Sequence, residues 1–228
     1  IQEIVVEAHR AALREMLAGG EGLGVVHDVE RVDLVADAVG VVEAVGEGVS
    51  DIRVGDRVGY LLGPLGAYAD VRVMPADVLI PLPDGISDST ASTLIMKGMT
   101  AQYLFRQVYP LKGGETILYH AAAGGVGLIA CQWARALGVN MIGVVSSDEK
   151  AAIAKAHGCA HTIVSTREDI AQRVMEITDG QGVPVVFDSV GKDTLQASLA
   201  SLQARGTLVS NGTSSEIGRA SCRERVSS

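Results

Sequence analysis

After Gly113-Gly114 the chain alternates between short apolar runs and helical patterns of about a dozen residues, several of which stop at a glycine. Such alternation is typical of βαβ units, in which parallel strands form a sheet that helices cover on both faces. We therefore predict an α/β fold with a doubly wound parallel sheet of five strands. The predicted strands are 116–120, 140–145, 161–164, 183–187 and 206–210, and the helices between them are 125–137, 148–157, 168–178 and 193–203.

The residues before this alternation have a different texture. Residues 1–18 carry apolar side chains at helical spacing and are followed by two glycines, which predicts an amphipathic helix with a glycine stop. Over residues 39–82, short β-rich runs separated by glycines predict strands and tight turns. Ser87 or Ser89 then caps a helix that is predicted to run to about Gln107.

Composition excludes several classes of protein. The formal net charge of -8 argues against nucleic-acid binding, because no basic stripe is available to replace phosphate counterions. Cys131, Cys159 and Cys222 show no C-x-x-C spacing, which excludes a disulfide framework or a Cys-rich zinc site and suits a reducing cytoplasm. No apolar run reaches the roughly 18 residues of a membrane span. We therefore predict a cytoplasmic protein with no membrane partner.

A glycine-rich turn, "HAAAGGVG" at residues 120–127, joins the first predicted strand of the alternation to its helix. Gly124 can make the tight turn and let the backbone approach a pyrophosphate, while Gly127 lets the helix pack closely on the strand. The free N–H groups of the helix N-terminus then face the anion. The first glycine of G-x-G-x-x-G is missing, since Ala121 and Ala122 stand there. The alternative is a tight structural turn without a ligand.

The end of the second strand distinguishes NADP from NAD. An NAD site usually places an acid there to bind the ribose hydroxyls. Here Ser146 and Ser147 follow the strand, with Lys150 one short turn later. Two hydroxyls and a cation favour a 2′-phosphate, and Asp148 and Glu149 fit the first turn of the next helix. Ordinary helix capping with a solvated lysine is the alternative.

Polar residues also follow the fourth and fifth strands. Asp188 stands at the carboxyl edge, where open α/β sheets bind ligands, but it could equally cap the next helix or fix the turn. Ser210, Asn211 and Gly212 end the fifth strand and could approach a nicotinamide.

Taken together, these stretches resemble the zinc-independent medium-chain dehydrogenase/reductases, specifically the NADPH:quinone oxidoreductases related to ζ-crystallin. The resemblance covers roughly residues 39–212, and the AAAGGVG form of the turn is this family's own variant. It implies a GroES-like β-rich domain joined to a Rossmann domain, with NADPH passing a hydride to a quinone or similar electron-poor acceptor. It also implies a homodimer for full-length members. The matching stretches include "VGVVEAVGEGVSDIRVGDRVGY", "GPLGAYADVRVMPAD", "KGMTAQYLF", "GETILYHAAAGGVGLIACQWARALG", "SSDEKAAIAKAHGC", "VVFDSVGKDT" and "ASLASLQARGTLVS".

The resemblance assigns cofactor contacts residue by residue and names no catalytic side chain. The residues that would cradle the pyrophosphate are Ala123, Gly124, Gly125, Val126 and Gly127. Those that would hold the 2′-phosphate are Ser146, Ser147 and Lys150, joined by Ser165, which replaces a tyrosine of the relatives and can still donate a hydrogen bond. Those that would line the nicotinamide side are Thr100, Tyr103, Val190, Asn211 and Gly212. Plain helix packing is the alternative for Thr100 and Tyr103.

We expect no metal. The zinc-dependent relatives need a cysteine and a Gly-His-Glu ligand set together with a four-cysteine structural site, and the sequence has neither. Its histidines show no paired ligand spacing. They are His9, His27, His120, His157 and His161.

Both ends of the chain depart from the family. Residues 1–38 lack the segment that would bring a tyrosine and an asparagine to the substrate, and residues 216–228 are basic and polar, unlike a Rossmann strand. We therefore expect truncation at both ends, with the sixth strand missing. The expected organisation is an unmatched segment 1–38, a partial GroES-like domain with linking helix 39–107, a truncated Rossmann domain 108–215 and a non-native tail 216–228. Two other functions stay open: a non-catalytic, crystallin-like NADPH-binding fragment, and an enone or enoyl reductase.

Overall fold

The structure, a computed structural model, describes residues 3–6, 37–61, 71–212 and 214–215. The chain divides into two compact units, residues 1–96 and residues 97–228. In the part of the chain that the structure describes, each unit contains one five-stranded sheet. Within the described ranges, no helix combines the length and the apolar character that crossing a membrane requires.

The first unit is built on a small antiparallel sheet. Its strands lie in the order β4-β1-β2-β3-β5. Val42, Val58 and Met74 come from three of these strands and are buried together in one apolar core. The β-rich runs and tight turns predicted over residues 39–82 therefore form one sheet. The bounds are β1 Glu3–Val6, β2 Asp37–Val45, β3 Arg57–Leu61, β4 Arg72–Pro75 and β5 Ile80–Pro81.

The helix predicted over residues 1–18 is wrong where the structure tests it. Glu3–Val6 form β1, which pairs antiparallel with both β2 and β4. Ile4, Val5 and Val6 are β-branched, and hydrogen bonds from two neighbouring strands outweigh the helical spacing of the apolar residues. The rest of that predicted helix, and the tail at 216–228, lie outside the described residues.

Helix α1, Asp88–Tyr103, follows the first sheet and continues into a π-helical turn, Leu104–Val108. Ser87, one of the two predicted caps, fills that role, because its Oγ accepts the N–H of Thr90 at 3.2 Å. Phe105 in the π-helical turn is fully buried, and its ring meets those of Tyr119 and Phe187 edge to face at 6.2 and 5.2 Å between centroids. The π-helical turn is thereby packed against the sheet of the second unit.

The second unit confirms the predicted parallel sheet. Its strands lie in the order β10-β9-β6-β7-β8, and every neighbouring pair is parallel. The first strand along the chain, β6, is central, so the direction of winding reverses between β6 and β9, where sheets of this kind bind ligands. The strands are β6 Thr116–Tyr119, β7 Asn140–Val145, β8 His161–Val164, β9 Val183–Asp188 and β10 Leu202–Ser210, and the helices are α2 Gly125–Ala136, α3 Asp148–Ala156, α4 Ile170–Ile177 and α5 Leu195–Ala200.

Both faces of this sheet carry an apolar core. On one face, Ile117 of β6 packs in a cluster with Ala130 and Ala134 of α2. On the other face, Leu118, the next residue of β6, packs in a cluster with Val174 of α4. Successive side chains of one strand therefore enter opposite cores, which explains the continuous apolar runs in the sequence.

The largest difference from the predicted elements lies near the end of the unit. The helix predicted over 193–203 is confined to Leu195–Ala200, and β10 begins at Leu202 rather than at residue 206. Leu202 pairs with Val183, and the register shifts before Thr207 pairs with Val185. Arg205 takes a left-handed backbone conformation, with φ of 65°, inside this shift. An irregular strand of this kind has no simple periodicity in the sequence.

We predict that Gly127→Ala destabilises the second unit, because a methyl group there would come within 2.4 Å of the Ala121 carbonyl oxygen and 2.6 Å of the Ala122 carbonyl oxygen. Both neighbours are backbone, so relief requires moving α2, at a cost of about 1–3 kcal/mol. Urea unfolding followed by circular dichroism measures the change. Gly98→Ala in α1 is the matched control, since its methyl group would meet nothing within 4 Å. Equal stability of the two variants would contradict the prediction.

Candidate nucleotide-binding site

A cleft of about 510 Å³ opens in the second unit, beside the turn that leads from β6 into α2. Its walls come from that turn, from the end of β7 and from the segments after β8 and β9. These segments meet at the carboxyl edge of the sheet, where parallel strands present their loops to a ligand. The lining residues are His120, Ala121, Ala123, Gly124, Val144, Val145, Ser146, Lys150, Ser165, Ile170, Val190, Asp193 and Thr194.

The glycine turn brings the N-terminus of α2 to this cleft. Gly124 caps the helix, and its N–H donates to the Ala121 carbonyl at 2.9 Å. Ala121 itself has φ of 53°, a left-handed conformation that costs a residue with a β-carbon about 1 kcal/mol. The turn is thus made without the first glycine of the usual pattern. The first N–H groups of α2 have no acceptor within their own helix, and they are available to an anion.

Ala122 has a further role in packing. It is fully buried, and its methyl group lies where a side chain on Gly143 of β7 would stand, at 2.6 Å from an ideal β-carbon there. The Ala122 N–H donates to the Val144 carbonyl at 3.1 Å. The turn is therefore attached to β7 as well as to β6.

The end of β7 supplies a cation and a hydroxyl to the cleft. The Lys150 ammonium donates to Ser146 Oγ at 2.9 Å. Ser147 is the N-cap of α3, because its Oγ accepts the backbone N–H of Lys150. Ser165, after β8, donates its hydroxyl to the Val145 carbonyl at 3.2 Å. Ser147 therefore caps the helix, as the alternative interpretation predicts, while Ser146 and Lys150 line the cleft.

Asp188 fixes a turn and a helix start rather than presenting a free carboxylate. Its Oδ1 accepts the N–H groups of Val190 and Gly191 at 2.9 and 3.0 Å. The hydroxyls of Thr194 and Ser198 donate to the carboxylate as well, at 2.8 and 2.7 Å to Oδ2. Burial would raise the pKa of Asp188, but these hydrogen bonds hold that pKa below its ordinary value.

His120, at the end of β6, is joined to Asp188 through Ser198. Ser198 Oγ lies 2.9 Å from His120 Nε2, and its hydrogen is donated to Asp188. Nε2 must then carry the proton that Ser198 accepts, which leaves Nδ1 unprotonated and buried, with no hydrogen-bond partner in the part of the chain that the structure describes. Burial lowers the pKa of His120 against the opposing charge of Asp188. The 4.0 Å approach of Nε2 to Asp188 is therefore not an ion pair.

The cleft brings together only part of the predicted site. The candidates among its lining residues are Ala123, Gly124, Ser146, Lys150, Ser165 and Val190. The candidates outside that lining are Thr100, Tyr103, Gly125, Val126, Gly127, Ser147, Asn211 and Gly212.

Two candidates after β10 differ in what surrounds them. The side-chain Oδ1 of Asn211 is buried and has no hydrogen-bond partner among the described residues, so it can accept a donor from a ligand. Gly212 has a structural reason to be glycine, because a β-carbon there would lie 2.5 Å from the Ser189 carbonyl oxygen. The loops after β9 and β10 therefore approach closely at this point.

Lys97 is not among the cofactor-binding residues predicted from the sequence, although it lies in the quoted stretch "KGMTAQYLF". Its methylene chain covers Gly125, since an ideal β-carbon on Gly125 would lie 2.9 Å from Lys97 Cε. The lysine therefore brings a positive charge near the N-terminus of α2. Its place in a helix, distant in sequence from the glycine turn, gives no periodic signal of this contact.

The residues fit a phosphate-bearing cofactor better than a metal ion. Gly127 gives the close helix approach that a dinucleotide turn requires, Lys150 supplies a cation, and Asn211 retains an unsatisfied acceptor. Within the described part of the chain, no three His, Cys, Asp or Glu side chains are grouped as a metal ion would need.

Two family models match the chain. The alcohol dehydrogenase GroES-like domain matches residues 4–84, and the zinc-binding dehydrogenase domain matches residues 125–222. The first match begins ahead of residue 39, the first residue of the resemblance described above. The second match includes the glycine turn from Gly125 onward and the end of β7.

Curated relatives carry related names. A quinone oxidoreductase of Pseudomonas aeruginosa is 56% identical over 180 residues, which are 79% of this chain and 55% of the relative. A 2-haloacrylate reductase of a Burkholderia species is 47% identical over 211 residues, which are 92% of this chain and 61% of the relative. The chain thus spans little more than half the length of the curated relatives it matches.

Solved structures agree in fold. A quinone oxidoreductase of Pseudomonas syringae pv. tomato aligns with a TM-score of 0.80 and 47% identity over 94% of this chain and 66% of that one. The Escherichia coli quinone oxidoreductase in complex with NADPH also aligns with a TM-score of 0.80, at 43% identity and the same coverage. The Rossmann-type sheet and the partial GroES-like unit are confirmed by these matches.

Loss of stability in mild acid is expected from His120. The unfolded imidazole takes up a proton near pH 6.5, whereas the lowered pKa keeps buried His120 neutral until the pH is lower. Protonation therefore favours the unfolded chain as the pH falls below about 6.5, by up to roughly 1 kcal/mol per pH unit. His120→Gln removes this contribution, so its unfolding free energy should fall less between pH 7 and about pH 5.5 than that of the unaltered chain.

Urea titrations at the two pH values measure the difference. His161→Gln, which removes an exposed imidazole at the start of β8, is the control. The same pH dependence in His120→Gln and the unaltered chain would show that His120 does not carry the effect.

Proposed function

This chain belongs to the zinc-independent quinone oxidoreductase branch of the medium-chain dehydrogenase/reductases, and we propose that it transfers a hydride from NADPH to a quinone or a similar electron-poor acceptor. The observation that carries the proposal is the cleft itself. It joins the N-terminus of α2 to a lysine and a serine at the end of β7, which are the two anion-binding elements that NADPH needs.

The first element holds the pyrophosphate. Ala123 and Gly124 line the cleft, and the N–H groups of Gly125, Val126 and Gly127 open the first turn of α2. The positive end of the helix dipole adds to the attraction. The Lys97 side chain over Gly125 supplies a full positive charge to the same end of the helix.

The second element binds the adenosine 2′-phosphate. Lys150 and Ser146 form a cation–hydroxyl pair within the cleft, and Ser165 lies beside them. Ser147 caps α3 and thereby fixes the position of Lys150 in the first turn of that helix. A ribose hydroxyl has no negative charge for Lys150 to meet, so this corner favours NADPH over NADH.

The nicotinamide end lies toward β9 and β10. Val190 lines the cleft, and the buried Asn211 Oδ1 is an acceptor suited to a carboxamide N–H. Gly212 keeps this loop close to Ser189, and Thr100 and Tyr103 complete the proposed set from α1.

When bound, NADPH supplies the hydride, and the acceptor takes it up. The residues of this chain hold and orient the cofactor, and no side chain is assigned as a catalytic acid. We also propose a cytoplasmic location, since Cys131 and Cys159 are both free and buried. The homodimer that the resemblance implies and the domain boundaries at residues 38, 107 and 215 remain predictions, for light scattering and limited proteolysis to test.

A second candidate is reduction of a conjugated alkene. One relative, which aligns with 92% of this chain, is named a 2-haloacrylate reductase, and a CurK enoyl reductase structure aligns with a TM-score of 0.75 at 33% identity. A cleft that delivers a hydride to a quinone can deliver it to the β-carbon of a conjugated carbonyl as well. The two functions use the same cofactor and differ in the acceptor that takes up the hydride.

The purified chain should oxidise NADPH when a simple quinone is added, with loss of the absorbance of reduced nicotinamide. Turnover with acrylates or enones but not with quinones would select the second candidate. Normal NADPH binding with no acceptor reduced, even at high protein concentration, would select a non-catalytic nucleotide-binding protein and overturn the proposed activity.

Lys150→Gln should weaken NADPH binding about tenfold or more, because a charge-assisted contact to the 2′-phosphate is lost. Binding of NADH should be nearly unchanged. Quenching or enhancement of cofactor fluorescence on titration measures both affinities. Lys155→Gln, an exposed lysine in the last turn of the same helix, is the matched control. An equal effect of Lys150→Gln on both cofactors would contradict the assignment of Lys150 to the 2′-phosphate.

A further inference from the structure

Asp148, which follows the two serines at the end of β7, forms a bidentate ion pair with Arg167. The two guanidinium nitrogens Nη1 and Nη2 lie 2.7 and 2.6 Å from Asp148 Oδ2 and Oδ1. Both side chains are more than half exposed, so the pair is at the surface. An exposed ion pair contributes little to the free energy of unfolding, so stability alone does not explain this bidentate contact.

The pair stands beside the corner that holds Ser146 and Lys150. Thr166, the residue before Arg167, donates its hydroxyl to the Ser146 carbonyl at 3.3 Å. Ser165 donates to the Val145 carbonyl at 3.2 Å. The segment after β8 is therefore held against the end of β7, and this places Arg167 beside the first turn of α3.

Two acids and two bases are concentrated there. Asp148 and Glu149 are negative, while Lys150 and Arg167 are positive. The hydrogen bond from Ser147 holds the pKa of Glu149 below its ordinary value, so Glu149 is charged at neutral pH. The four charges sum to zero. Without Arg167 the sum would be negative, and a phosphate that approaches Lys150 would be repelled.

We propose that Arg167 determines cofactor specificity by neutralising Asp148, so that the corner at Ser146 and Lys150 accepts the 2′-phosphate of NADPH. This inference rests on the proposed function. Arg167 acts through Asp148 and is a positioning residue, since both of its terminal nitrogens are already committed to that carboxylate. An acid at the end of the second strand is the usual mark of NAD specificity. Asp148 lies beyond that position, in the first turn of α3, and Arg167 neutralises its charge.

The size of the effect follows from Coulomb's law. A carboxylate within one or two helical turns of a dianion at the surface weakens its binding by about three- to tenfold at low salt, and less as salt is added. NADH carries no 2′-phosphate, so its affinity should be unaffected.

The test is a double-mutant cycle on the full chain, with NADPH and NADH as probes and cofactor fluorescence as readout. Arg167→Gln should weaken NADPH binding about three- to tenfold at low salt and leave NADH binding unchanged. Asp148→Asn alone should bind NADPH at least as tightly as the unaltered chain. The double variant Asp148→Asn/Arg167→Gln should regain the original NADPH affinity to within about twofold, because no acid is left to neutralise.

Arg173→Gln is the matched control, since Arg173 is likewise a surface arginine paired with acids, Glu168 and Glu176, and does not line the cleft. Circular dichroism confirms that each variant is folded, and Arg167→Lys, which keeps the charge, should retain the preference for NADPH if Arg167→Gln does not fold. A double variant as weak as Arg167→Gln would overturn the inference in favour of direct phosphate contact. An unaltered chain without preference for NADPH would overturn the proposed cofactor instead.

Discussion

The close approach of α2, at Gly127, to the turn that follows β6 is the constraint on which the rest of the site depends. With no β-carbon, Gly127 lies where a methyl group would meet the Ala121 carbonyl at 2.4 Å. That contact sets the position of the helix N-terminus at the carboxyl edge of the sheet. The same approach requires the tight turn in which Ala121 adopts φ of 53°. The anion-binding end of α2 is therefore a consequence of packing, before any ligand is considered.

Around this turn, each neighbouring strand adds one fixed element. β7 ends in the Ser146–Lys150 pair, and Ala122 fits against Gly143 in the same strand. β9 ends in Asp188, whose hydrogen bonds to Val190 and Gly191 shape the far wall of the cleft. Buried polar groups of this kind are costly unless they are satisfied, and Asp188 is. Hydrogen bonds and packing contacts thus define the edges of the cleft.

Most of the second unit could be predicted from the sequence because local rules determine it. Apolar runs and glycine stops predict the bounds of β6 to β9 closely, and Ser147 marks the start of α3. The failures have physical causes. β1 is a strand because two neighbouring strands pair with it, and β10 contains a register shift that no periodic pattern reports.

Contacts between residues distant in the chain could not be predicted from the sequence either. The bond between His120 and Ser198 joins residues 78 positions apart, and the pair of Asp148 with Arg167 joins residues 19 positions apart. The sequence placed an acid beside the proposed 2′-phosphate site without showing what balances it. The fold supplies the balancing charge, because Arg167 pairs with Asp148.

A crystal structure of the chain with NADPH tests the central claim most directly. We expect the pyrophosphate at the N–H groups of Gly125, Val126 and Gly127. We also expect the 2′-phosphate within hydrogen-bond distance of Lys150 Nζ and Ser146 Oγ, with the Asp148–Arg167 pair intact. A cofactor whose 2′-phosphate points away from Lys150, or whose pyrophosphate avoids the start of α2, would contradict it.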